Sequence, residues 1–273
     1  MSERIAAVQM VSTADVYDNL KQAEGLITQA CAQGAKFVVL PENFAFMGLH
    51  EKDILQIAES AQGGEIQKFI AQVAARQEVE LLAGTLPLWV DDTRRYKVHS
   101  ASLLFNTSGQ VVARYHKIHL FDVEVADQQG VYHESAMVTA GTELSTAETR
   151  VGVVGLSVCY DLRFPELYRQ LGAKGSDLLC VPSAFTYVTG EAHWEILLRA
   201  RAIENLCYVI AANQGGQHQN KRQTYGHSLI IDPWGKILAE KTSEGPGFIC
   251  ADIDKEALQE LRKKFPVLTH RRL

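Results

Sequence analysis

Short apolar, β-branched runs alternate along the chain with stretches whose apolar residues recur every three or four positions. These are the signatures of buried strands and amphipathic helices. Residues 4–10 predict a strand, and residues 17–33 a helix with Leu20, Ala23, Leu26 and Ile27 on one face, closed by Gly34. The apolar run 36–40 predicts a short buried strand that runs straight into Pro41-Glu42-Asn43-Phe44. A helical region over 52–77, interrupted near Gly63-Gly64, precedes a strand over 80–86 and a hairpin over 100–115 that turns at Thr107-Ser108-Gly109.

The second half repeats this order. A strand over 151–158 leads to a helix over 165–171, then a strand over 177–181 ending in Pro182-Ser183. A long helix over 193–206, a strand over 208–213 and a hairpin turning at Asp232-Pro233-Trp234-Gly235 follow. Both halves therefore read strand, helix, strand ending at a proline, helix, strand, hairpin. Each offers a sheet with helices on one face, so the bare faces are expected to pack together. The expected fold is an α/β, four-layer α-β-β-α sandwich with internal pseudo-twofold symmetry, one domain over residues 1–273.

Composition narrows the class. The net charge is −5 and no long basic block is present, which argues against nucleic acid as a partner. The N-terminal apolar run lacks a basic start and a cleavage signature, and no apolar run is long enough to suggest a membrane span. The five cysteines, at 31, 159, 180, 207 and 250, are scattered and form no CxxC pair or His/Cys ligand spacing. Neither a disulfide framework nor a metal site is indicated, and a reducing cytoplasm is the expected location.

Candidate chemistry gathers at strand ends. Cys159 follows the apolar run 151–158 and precedes the helix opened by Pro165. The positive end of a helix dipole there lowers a thiol pKa and makes a nucleophile, although most free cysteines are small buried hydrophobes. Glu42, close to Phe44 and Phe46, is either a desolvated general base with a raised pKa or an ordinary cap or surface glutamate. Lys117 lies between Tyr115 and Ile118, and periodicity leaves open whether it faces solvent or a pocket. His116 and His119 are three apart but have no Asp or third ligand nearby in sequence to support a metal.

PENF at 41–44, YHKIHLFD at 115–122 and CYDLRFPEL at 159–167 together resemble the nitrilase superfamily of carbon–nitrogen hydrolases, over nearly the whole chain. The resemblance implies the same α-β-β-α fold and a catalytic Glu-Lys-Cys set on Glu42, Lys117 and Cys159. Glu134 resembles the family's second glutamate, which orients the lysine. The implied reaction is amide hydrolysis through a Cys159 thioester, with Glu42 as base and Lys117 and the Tyr160 N–H holding the oxyanion. No metal or organic cofactor is implied.

Residues 183–216 and 224–235 resemble the branch acting on deaminated glutathione, which would be cleaved to 2-oxoglutarate and cysteinylglycine. Omega-amidases acting on 2-oxoglutaramate share the helix but typically carry Gly where this chain has Ser183; carbamoylases are a further alternative. Arg163 matches a carboxylate-contacting position of the carbamoylases, and can equally serve to hold the helix after Cys159. The expected partner is a small acidic amide. A non-catalytic binding protein or a cysteine redox sensor on the same fold is the alternative from another class. Apolar residues on more than one side of 193–206 point to a homodimer or dimer of dimers. The basic tail, Arg262-Lys263-Lys264 through His270-Arg271-Arg272, either crosses to the partner or is a solvated terminus.

Overall fold

The computed structural model describes residues 2–272. Its first half holds β1 (Ser2–Gln9), α1 (Val16–Ala32), β2 (Phe37–Val39), α2 (Glu65–Gln77), β3 (Glu80–Trp89), β4 (Val98–Phe105) and β5 (Val111–His116). A ribbon of β6 (Asp122–Glu124) and β7 (Val131–His133) follows, and then β8 (Thr146–Thr149). The second half holds β9 (Gly152–Leu156), α3 (Pro165–Ala173), β10 (Leu178–Cys180), α4 (Tyr187–Asn205) and β11 (Tyr208–Ala211). After it come the ribbon β12 (Gly215–Gln217) and β13 (Gln223–Tyr225), the hairpin β14 (Leu229–Ile231) and β15 (Ile237–Glu240), then β16 (Gly247–Asp254) and α5 (Lys255–Lys264).

Two six-stranded sheets result, in the orders β16-β1-β2-β3-β4-β5 and β8-β9-β10-β11-β14-β15. In each, three parallel strands are flanked by antiparallel neighbours on both sides. The pseudo-twofold repeat is therefore present in the strand order itself. Its two edge strands are exchanged: β8 closes the first half but edges the second sheet, while β16 closes the second half and edges the first. Each half thus completes the sheet of the other.

Side-chain alternation decides how the layers stack. Ile5, Ala7, Phe37, Val39, Leu82 and Leu104 join the second sheet in one core. Their immediate neighbours Ala6, Val8, Val38, Leu81 and Leu103 pack instead with Ile27, Ile70 and Val73 of α1 and α2. A strand buried on both faces reads as a continuous apolar run, as 36–40 does. On the far side Trp194 and Leu198 of α4 and Leu167 and Leu171 of α3 cover the second sheet. The order is α-β-β-α.

Three boundaries differ from expectation. The region 52–63 forms only a 3-10 turn, Glu51–Ile57, before α2 begins after Gly64. Helix α4 starts at Tyr187 rather than 193, because the polar turn Tyr187–Glu191 masks its apolar period. The basic tail is partly structural. Arg262 of α5 donates from Nη1 to Asp177 Oδ1 at 2.8 Å, from Nη2 to the Ser176 carbonyl at 2.7 Å and from Nε to the Leu206 carbonyl at 3.0 Å. That anchor ties the helix after β16 to its own subunit.

One glycine positions the chemistry. Gly84 of β3 passes directly beneath the end of β2, where an added Cβ would fall 2.0 Å from the Pro41 carbonyl oxygen. Only a residue without Cβ lets Pro41-Glu42 lie this low. Gly84→Ala is expected to cost about 1–3 kcal/mol through overpacking. It should also lower kcat by displacing Glu42; a variant with wild-type Tm and kcat would contradict this reading.

Candidate active site

Glu42 lies just beyond β2, in a segment gripped from both halves. The Asn43 N–H donates to Thr85 Oγ1 at 2.9 Å, and Gln214 Nε2 donates to the Glu42 carbonyl at 3.0 Å. The Glu42 carboxylate is buried and accepts from the Ala184 N–H at 2.9 Å through Oε2. Through Oε1 it accepts from Lys117 Nζ at 2.8 Å. Lys117, which follows β5, points inward and is only 2% exposed. Its ammonium also donates to both oxygens of Glu134, each at 2.9 Å. Glu134 is held in turn by the Phe121 N–H at 2.7 Å.

Cys159 completes the cluster at the end of the strand-to-turn segment after β9. Its backbone takes a left-handed conformation, φ +48, which a side chain adopts only when its surroundings compel it. The Cys159 N–H donates to the Pro182 carbonyl at 2.9 Å and the Asp161 N–H to the Val158 carbonyl at 3.0 Å. The Tyr160 N–H lies between these two committed donors. The thiol is buried, 7% exposed, and faces the Glu42 carboxylate and the Ala184 N–H.

The electrostatics of this cluster reverse two expectations. Burial drives the Glu42 carboxyl upward, but the Lys117 ammonium more than offsets that and holds it below its ordinary range. Glu134 moves the other way, because burial and the nearby Glu42 charge together outweigh Lys117. Desolvation disfavours the Lys117 ammonium, yet two carboxylates raise its pKa well above the ordinary lysine value. Burial and the Glu42 charge push the Cys159 thiol up rather than down. Helix α3 starts only at Pro165, and the 3-10 turn Cys159–Arg163 separates it from the cysteine in the chain.

The resting pair is thus a neutral thiol beside an ionised carboxylate. A thiol raised in the folded state gains thiolate only above its ordinary value of 9.0. The Cys159-dependent thiolate absorbance, taken as wild type minus Cys159→Ala, is expected to be absent at neutral pH and still absent at pH 9.0. A thiolate band titrating below that pH would contradict the assignment.

Sequence reading missed the group that holds this geometry. Asp161 is wholly buried and joins two segments of the chain. Its Oδ2 accepts from Tyr115 Oη at 2.7 Å and from the Val158 N–H at 2.8 Å, and its Oδ1 pairs with the His119 ring at 2.7 Å and accepts its N–H at 3.1 Å. One carboxylate thereby fixes the turn bearing Cys159 against the segment bearing Lys117. His119 is committed to this contact and stacks on Phe164, while His116 stacks on His99. Asp161→Asn turns one acceptor into a donor facing donors, and is expected to destabilise the fold by about 1–3 kcal/mol. Thermal unfolding checks it; an unchanged Tm would remove Asp161 from this role.

These groups open on a cavity of about 850 Å³. Glu42, Lys117, Glu134, Cys159 and Tyr160 all line it. Arg163 does not. It stacks over the rings of Tyr160 and Phe185, at 5.9 and 5.2 Å, and pairs with His193 at 3.1 Å. The cavity's own guanidinium is Arg222, from the ribbon before β14, which the sequence reading passed over.

A carbon-nitrogen hydrolase family model matches residues 4–263. The chain belongs to the carbon–nitrogen hydrolase family. A deaminated glutathione amidase of Synechocystis is 47% identical over 268 residues, 97% of each chain. The crystal structure of the C. elegans NitFhit protein superposes with a TM-score of 0.91 at 40% identity; it covers 99% of this chain, which spans 65% of the worm protein. An amidase from Nesterenkonia sp. AN1, 26% identical with a TM-score of 0.79 over 97% of this chain and 98% of its own, carries acrylamide added at its active-site cysteine. Family membership and the layer order reached from side-chain alternation agree.

Proposed function

We propose that this chain is an amidase that hydrolyses deaminated glutathione to 2-oxoglutarate and cysteinylglycine through a Cys159 thioester. The observation that carries the reading is the Lys117 ammonium, held within 2.9 Å of both Glu42 and Glu134 and facing a buried cysteine on a left-handed turn. Glu42 takes the thiol proton as sulfur attacks the amide carbonyl. Lys117 and the Tyr160 N–H receive the charge that develops on the carbonyl oxygen. Glu42 then passes its proton to the departing amine of cysteinylglycine, leaving the 2-oxoglutaryl thioester. Water, deprotonated by Glu42, hydrolyses the thioester, and the proton returns to the thiol. Lys117 stays an ammonium throughout, since its raised pKa suits it to hold charge rather than to exchange protons.

The cavity supports a substrate larger than a simple oxo-acid amide. A volume of about 850 Å³ lies at the upper end of the range for small-molecule sites and accommodates a tripeptide-sized ligand. The Synechocystis relative's name points the same way. Side-by-side kcat/KM values on deaminated glutathione, 2-oxoglutaramate and a carbamoyl amino acid test the reading. Deaminated glutathione is expected to lead; a preference for either other substrate would move the chain to a neighbouring branch. No turnover of any would favour the binding protein or redox sensor.

The same reading places a single domain over 1–273, with the exchanged strands β8 and β16 as its support, in a reducing cytoplasm that keeps the cysteines free. No helix among the described residues is long and apolar enough to cross a membrane. A homodimer is proposed through the outer face of α4. Ile196 there is 70% exposed, and Ile203 lies against the Asp232–Gly235 turn, whose exposed Trp234 meets Phe265 at 5.6 Å. Light scattering at micromolar concentration should report a dimer or dimer of dimers, whereas a fully active monomer would contradict it.

A further inference from the structure

Arg222 is a cation aimed into the cavity with capacity to spare. Its Nη2 donates to the Ala184 carbonyl, and the N–H of that same Ala184 donates to Glu42. Ala184 alone therefore links the guanidinium to the Glu42 carboxylate, and the guanidinium carbon lies 5.4 Å from the centre of the Tyr132 ring. Its Nε is shut off from solvent and has no partner among the described residues. A buried donor left unpaired costs stability unless something completes it. The other cations lining the cavity are differently placed: Lys117 is taken by two carboxylates, while Lys52 and Lys221 are exposed at the rim.

An Arg Nε–H and an η N–H form a side-on fork that matches a carboxylate, and a lysine cannot reproduce it. We propose that Arg222 binds the carboxylate at the acyl end of the substrate, the 2-oxo acid group, and so sets the preference for acidic amides. The inference rests on the amidase reading above and assigns the specificity of the same site. A turn of the guanidinium toward the cavity brings the Nε, closed to solvent in the free structure, to a partner, and the acyl chain is then fixed between Arg222 and Cys159 while the leaving peptide extends toward the rim.

Kinetics on three substrates test it: deaminated glutathione, its methyl ester at the 2-oxo carboxyl, and its methyl ester at the glycine carboxyl. Arg222→Met is expected to lose about 100-fold in kcat/KM on the first and third, chiefly through KM, but under about 5-fold on the 2-oxo ester. Arg222→Lys should recover part of that discrimination. An equal loss on all three would make Arg222 a support for Ala184 and Glu42 only. A loss spared by the glycine ester instead would place it at the leaving-group end; either result, or no loss, overturns the proposal. Calorimetry of 2-oxoglutarate binding to Cys159→Ala, with and without Arg222→Met, separates this from the amidase reading. Binding weakened about 100-fold by Arg222→Met is the expected result; the same weakening alongside a wild type that turns over none of the three substrates would keep the carboxylate site and sink the amidase. Equal binding, or none to either protein, would overturn the site.

Discussion

Cys159→Ala is expected to remove amidase turnover while leaving the fold in place. The loss should reach at least about 10,000-fold, the scale seen when one member of a catalytic unit is deleted. Stability should change by less than about 1 kcal/mol. The substitution deletes a single buried sulfur, and Ala at φ +48 bears the same backbone strain as Cys. Far-ultraviolet circular dichroism and Tm check the fold, and product release checks the chemistry. A folded variant that retains a few per cent of activity would end the covalent mechanism.

The second large effect concerns the charges around the sulfur. Glu42→Gln removes the carboxylate beside the Cys159 thiol that is proposed to accept its proton, and Lys117→Ala removes the positive charge proposed to face the oxyanion. Each is expected to lower kcat by a factor of about 100 to 1,000 or more. Lys117→Ala should also leave Glu42 and Glu134 buried together without their shared cation, and cost about 3–5 kcal/mol of stability. Since the proposed mechanism has Cys159, Glu42 and Lys117 act on one proton and one oxygen, the double variant Glu42→Gln/Lys117→Ala should be scarcely slower than the worse single one. Strict additivity of the two losses would mean that they work independently.

Much of the layer order was legible because parallel strands buried on both faces leave unbroken apolar runs. KFVVLP and DLLCVP are two such runs, and each ends at a proline where the chain turns out of its sheet. Those ends carried Glu42 and Ser183 to the same region. Strand β16 was not legible as part of the first sheet, since its partner β1 is at the other end of the chain and no local pattern encodes that pairing. The pairing of β8 with β9 is a local hairpin, so it is the β16 side of the exchange that depends on distant contacts.

Site residues divided along similar lines. Cys159 and Glu42 stood at strand ends, where chemistry is often presented, but their ionisation depends on what lies across the cavity. Aromatic neighbours of Glu42 suggested a raised pKa; Lys117, from the segment after β5, reverses it. Lys117 itself had no periodic signal, because it lies just past β5, where alternation has stopped. Asp161 looked like one more polar residue after a nucleophile until Tyr115 and His119 met it in space. Arg222 stands in the polar stretch KRQTY, and only the cavity makes its unpaired Nε informative.

Acid-quenching the enzyme during turnover of deaminated glutathione, followed by intact-mass and peptide mapping, tests the thioester most directly. The expected result is a 2-oxoglutaryl group on Cys159 of the wild type, and neither adduct nor product with Cys159→Ala. An acyl group mapped to a different residue, or undiminished turnover by Cys159→Ala, would contradict the account.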